Sequence, residues 1–162
     1  LLERNLKDEE AVRACFLGIV DLGLFMRKVL LVACLLACGL FASAASAEVV
    51  VRVSKGRQAM YVYVEGRLAY VWPVSTAAWG YNTPDGVYYP TTLDPYHRSG
   101  RYGSPMPYSI FFTGGYAIHG SYDINHLGYP ASHGCIRLHP NNAGELYDLV
   151  RSSNSTRIIV GW

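Results

Sequence analysis

Ser132-His133-Gly134-Cys135-Ile136-Arg137-Leu138 brings an imidazole, a thiol and a guanidinium into one short run. Upstream, Ile118-His119-Gly120-Ser121 adds a second imidazole beside a glycine. A thiol becomes a strong nucleophile when a nearby base takes its proton, because the thiolate is the attacking species. A glycine beside it lets a substrate approach the backbone, so that main-chain N–H groups can face a developing oxyanion. The run therefore reads as a cysteine acyl-transfer site.

Each of these residues has a plainer reading as well. Cys135 can be a nucleophile or a small buried hydrophobe; the two glycine-flanked histidines favour the reactive role. His119 can be the base that takes the thiol proton, leaving a thiolate–imidazolium pair, or a core histidine bonded to a backbone carbonyl. His133 can be base, orienting group or structural residue. Gly134 and Ser132 are expected to act through backbone N–H groups and a tight turn. Arg137 follows Cys135 by two residues, so on a strand both side chains share a side. A guanidinium there suits a substrate carboxylate through paired hydrogen bonds, with a surface salt bridge as the competing reading. Zinc ligation by His119, His133 and Cys135 is disfavoured: His133 and Cys135 are two apart, with no second thiol pair and no H-E-x-x-H. His97, His126 and His139 read as loop residues.

These groups need elements to hold them. Glu48 to Val53 is a valine-rich strand, followed by a turn at Ser54-Lys55-Gly56-Arg57. Gln58 to Val64 and Leu68 to Val74 form a hairpin about Glu65-Gly66-Arg67. Thr83-Pro84-Asp85-Gly86 is a turn, since proline pre-sets φ at its second position, and Gly86 to Tyr89 is a short strand. Thr91 to Pro107 reads as a long loop, and loops of that length are often functional lids. Tyr108 to Thr113 and Tyr116 to His119 form a hairpin across Gly114-Gly115. The spacing of Ala143, Leu146, Tyr147 and Val150 predicts a helix after Pro140, capped by Asn141 or Asn142, with Arg151 suiting its C-terminal dipole. Thr156 to Val160 is a last strand. The expected fold is a mostly antiparallel β domain with a single helix.

The front of the chain reads differently. Met26 is the first methionine; Arg27-Lys28, the uncharged apolar stretch Val29 to Ala42 and Ala45-Ser46-Ala47 follow in the order of a secretory signal peptide. That stretch is 14 residues long, short of the roughly 20 that span a bilayer. Residues 1–25 are read as a non-native upstream extension, 26–47 as the signal peptide and 48–162 as one domain. Lipidation of Cys38 within Leu35-Leu36-Ala37-Cys38 and an uncleaved anchor are the rival readings. Of the four cysteines, Cys15, Cys34, Cys38 and Cys135, processing would leave only Cys135, which in an exported compartment points to a reactive group or an intermolecular link. The formal charge is only +2, with no basic stripe, so no nucleic-acid partner is expected.

His119-Gly120, Gly128 and the run from Ser132 to Leu138 resemble the signature of L,D-transpeptidase catalytic domains of the YkuD type. Thr83-Pro84-Asp85-Gly86 resembles that family's Thr-Pro-x-Gly turn, and the helix after Pro140 stands where the family has one. The resemblance covers roughly Val49 to Gly161. It implies a mainly β, sandwich-like domain with one principal helix after the motif, acting outside the cytoplasm, in the periplasm or cell envelope, on peptidoglycan stem peptides. It implies Cys135 as nucleophile, His119 as base, and backbone N–H groups of His133, Gly134 and Cys135 near the oxyanion; Arg137 and Ser132 are the residues expected to meet substrate. D-Alanine would leave, and a second stem would attack to give a 3→3 cross-link; an envelope protein can also be the acceptor. Water in its place would make the protein an L,D-carboxypeptidase, and a non-catalytic wall-binding module is the reading from another class. No metal or organic cofactor is implied, and acylation by carbapenems is. A monomer without stable membrane insertion after processing is expected.

Overall fold

The computed structural model describes residues 48–161. The upstream extension, the signal peptide and its alternative at Cys38 lie outside the described residues. Among the described residues, nine strands form two sheets. The first has the order β3-β2-β1-β9-β4, from β1 (Glu48–Ser54), β2 (Ala59–Val64), β3 (Arg67–Pro73), β4 (Gly86–Tyr88) and β9 (Ser155–Gly161). The second has the order β5-β6-β7-β8, from β5 (Thr92–Arg98), β6 (Pro105–Thr113), β7 (Tyr116–Gly120) and β8 (Ile136–Leu138). An α-helix, α1 (Pro140–Ser152), follows β8 and packs on β6 and β7.

Alternation in the sequence explains the layers. Val49, Val51 and Val53 of β1, Met60 and Val62 of β2, and Ile158 and Val160 of β9 are buried at every second position. They share one hydrophobic cluster with Ile110, Phe112, Ile118, Ile136 and Leu138 of the second sheet and Leu146 and Val150 of α1. Burying each such side chain is worth about 1.5–3 kcal/mol, so the core is what holds the sheets in place. The hairpin into β7 turns on Gly114 and Gly115, at φ 46° and 88°. A two-residue turn with both φ values positive matches the twist of its flanking strands.

The domain is mostly antiparallel, as expected, and the two parallel pairings are β1 with β9 and β7 with β8. Two expectations change. The segment read as a loop from Thr91 to Pro107 is mostly β5 and the start of β6, and only Ser99–Ser104 remains at the tip. Its proline obscured this: Pro95 lacks an N–H, but β5 is an edge strand, where a missing donor is tolerated. The helix is capped by His139 rather than by either asparagine. Its Nδ1 accepts from Asn141 N–H at 3.2 Å, with Pro140 in the first turn, where an absent N–H is harmless. The expected helical face, Ala143, Leu146, Tyr147 and Val150, is the buried one.

Candidate active site

The site is built where β7 and β8 run side by side. Their parallel register sets Ile118 beside Ile136 and His119 beside Arg137. Ile118 and Ile136 point into the core at 1% and 0% exposure. Neighbouring residues on a strand face opposite ways, so His119 and Arg137 face the other side, and Cys135 stands in the bend just before β8. There His119, Cys135 and Arg137 line one cavity of about 670 Å³.

His119 is buried at 6% exposure, and its Nδ1 lies 2.7 Å from the carbonyl oxygen of Gly120. A carbonyl only accepts, so Nδ1 carries the proton and Nε2 keeps its lone pair. The bond is the one expected of a core histidine, and it leaves Nε2 able to accept a proton. Burial pushes the imidazole down from its ordinary 6.5 to about 4; the Gly120 bond opposes this, and the charges of Arg137 and His97 add to it. Cys135 is half-buried, and burial pushes its thiol up, while the main chain of Ala117 and the Arg137 charge pull it down. Burial thus favours the uncharged form of each group, a thiol on Cys135 and a neutral imidazole on His119.

The turn before β8 is braced from within. Ser132 is 1% exposed, and its hydroxyl donates to the Cys135 carbonyl at 2.6 Å and accepts from Gly134 N–H at 3.0 Å. Its hydroxyl is engaged inside the turn, and Ser132 also lines the cavity. The Gly134 N–H, expected near an oxyanion, is taken by the same hydroxyl, so the amides of His133 and Cys135 are the ones the turn leaves unused. Gly134 has φ 132°, and a Cβ there would stand 2.4 Å from the Tyr116 ring and 2.9 Å from the Asn82 carbonyl. No other residue fits this conformation in this space. The segment from Ser75 to Ala78 closes the outer edge: Ser75 and Arg137 exchange backbone bonds at 3.0 and 2.9 Å, and Ser132 N–H donates to Thr76 at 2.9 Å.

His133 is exposed and meets the rings of Tyr81 and Tyr102 at 4.4 and 4.7 Å. Of these rings, His133 and Tyr102 line the cavity. Arg137 pairs with Asp123 at 3.2 Å, and Asp123 also meets His126 Nδ1 at 2.6 Å. Asp123 lines the cavity and was missed in the sequence, where nothing links it to Arg137. His97 was missed too. It sits on β5, lines the cavity, and is held by Asp94 at 3.0 Å; the only signal would have been recognition of β5 itself. The tyrosines of the Tyr88–Tyr108 stretch divide: Tyr102 lines the cavity, Tyr88 packs on Phe112 at 5.2 Å, and Tyr96 is 91% exposed. Among the described residues, no three histidine, cysteine or acidic side chains cluster as a metal would require.

A family model, YkuD, the L,D-transpeptidase catalytic domain, matches residues 48–160. Among solved structures, an L,D-transpeptidase from Mycobacterium smegmatis is 27% identical, with a TM-score of 0.66 over 72% of this chain and 59% of that one. The L,D-transpeptidase of Xylanimonas cellulosilytica is also 27% identical, with a TM-score of 0.61 over 73% of this chain and 62% of that one. An L,D-transpeptidase from Mycobacterium tuberculosis, 23% identical, shares the fold, with a TM-score of 0.64 over 72% of this chain and 58% of that one. The chain thus spans about three fifths of the length of these proteins. Among curated proteins, none matches the chain by sequence.

Proposed function

The chain belongs to the L,D-transpeptidase catalytic domain family, and we propose that it cross-links peptidoglycan stem peptides through an acyl-enzyme on Cys135. The observation that carries this reading is the parallel β7–β8 register, which sets His119 beside Arg137 at the cavity that Cys135 also lines. His119 Nε2 takes the Cys135 proton as Sγ attacks the carbonyl between the third stem residue and terminal D-alanine. A thioester bond forms, the peptide C–N bond breaks, and the imidazolium returns its proton to the departing D-alanine amine. The amine of a second stem then attacks the thioester, His119 accepts its proton, and the thiol is released with a 3→3 cross-link. A low imidazole pKa leaves the base free at neutral pH and makes the imidazolium a strong acid towards the leaving amine, at the cost of a weaker pull on the thiol proton. The amides of His133 and Cys135 receive the oxyanion. Arg137 keeps guanidinium N–H groups beyond its Asp123 contact for a stem carboxylate. Peptidoglycan lies outside the plasma membrane, so the domain works in the cell envelope or periplasm after export. No helix among the described residues is long and apolar enough to cross a membrane.

The test is incubation with tetrapeptide muropeptides and mass analysis. A cross-linked dimer lighter by one D-alanine is expected from the native protein and none from Cys135→Ala. Turnover by Cys135→Ala would remove the nucleophile assignment, and tripeptide as the sole product would make the protein a carboxypeptidase.

A further inference from the structure

We propose that Thr83 is the positioning residue that aims the Cys135 amide at the acyl oxygen. Thr83 is 1% exposed, stands 51 residues from its partner in the motif, and is not part of the cavity wall. Its hydroxyl accepts from Ala77 N–H at 3.0 Å, which leaves its own hydrogen for the Gly134 carbonyl at 2.8 Å. Its backbone is fixed in turn: the Thr83 carbonyl accepts from Lys55 Nζ at 3.1 Å, and Lys55 is paired with Asp85 at 2.8 Å.

The consequence follows from peptide planarity. In a trans peptide the C=O of one residue and the N–H of the next point in opposite directions. Holding the Gly134 carbonyl against Thr83 turns the Cys135 N–H away from the 76–86 segment. That segment contributes nothing to the cavity wall, whereas Cys135 and His133 do, so the N–H is turned to the cavity side. The same segment treats His133 alike: Ala78 N–H holds the Ser132 carbonyl at 2.8 Å, which turns the His133 N–H the same way. Of these two anchors only Thr83 is a side chain, so it is the one that substitution can remove. A donor held in place before reaction needs no reorganisation as charge develops on the oxygen, and that is the source of its catalytic effect.

The inference rests on the acyl-enzyme reading, and the test separates the two. Acylation by imipenem builds charge on a carbonyl oxygen; alkylation of the same thiol by iodoacetamide does not. In Thr83→Val the acylation rate and the kcat for tetrapeptide are expected to fall about 10- to 100-fold, less than the roughly 10²–10³-fold loss on deleting a donor outright. KM and the alkylation rate should stay within about threefold of native, and Thr83→Ser should restore acylation. Acylation and alkylation falling together would mean that Thr83 only supports the fold, and native acylation in Thr83→Val would end the proposal. Should Thr83→Val not fold, Thr83→Ala carries the same expectations; failure of both to fold assigns Thr83 a structural role and overturns the proposal. Turnover by Cys135→Ala, measured alongside, would instead sink the acyl-enzyme reading, whatever the Thr83 variants do.

Discussion

His119 holds its lone pair on Nε2 because the Gly120 carbonyl claims the Nδ1 proton, and it stays neutral because burial disfavours the imidazolium. The two effects act on different properties, one on tautomer and orientation, the other on basicity. They imply a pH profile. The base form is lost only as pH falls through about 4, so imipenem acylation should keep its neutral-pH rate down to about pH 5 and show an acid limb centred near 4. Single-turnover rates across that range would check it. A limb centred at the ordinary imidazole value would show that His119 is solvated during the reaction, or that another group is the base.

The turn from Ser132 to Cys135 and the strands beside it form the next scale. Two constraints meet at Gly134: a φ of 132°, and less than van der Waals space beside Tyr116 and the Asn82 carbonyl. A β-carbon can be relieved only by moving the turn, which displaces the amides on either side while leaving the core strands paired. Gly134→Ala should therefore lower acylation by at least about 100-fold, with a loss of roughly 1–3 kcal/mol in stability. Urea unfolding and imipenem acylation measured on one preparation would test this. A variant that acylates normally would show that the turn adapts and that its geometry does not limit the reaction. The hairpin of β5 and β6 belongs to this scale too: it carries His97 on one strand and, at its tip, Tyr102 against His133, so a segment read as an irregular loop is a framed wall of the cavity.

At the scale of the molecule, the sandwich supplies the burial that shifts His119, and burial links the site to stability. The folded imidazole titrates near 4 against 6.5 when unfolded. A depressed value means that the unfolded chain binds the proton first. The contribution is complete above pH 6.5 and lost as pH falls towards 4; the shift corresponds to roughly 3 kcal/mol. The native protein should lose more stability between pH 7 and pH 4 than His119→Gln, measured by urea midpoints at each pH. Equal losses would mean that His119 is not protected from water in the folded state.

Much of this protein was legible from residue types and short spacings. The thiol and imidazoles, the Glu65-Gly66 and Gly114-Gly115 hairpins and the buried face of α1 rest on side-chain chemistry, turn conformations and the periods of strand and helix, all local properties of the chain. The family resemblance drew on the same short runs, and the match over residues 48–160 agrees with it. Other features formed only on folding. The parallel pairing that brings His119 beside Arg137, the bond from Thr83 to Gly134, and the place of His97 and Asp123 in the cavity join residues with no local signal between them. Protonation was also beyond the sequence. His119 and Cys135 have ordinary affinities for protons in water, and it is the packed surroundings, through lost solvation and the nearby Arg137 charge, that set them in the folded protein.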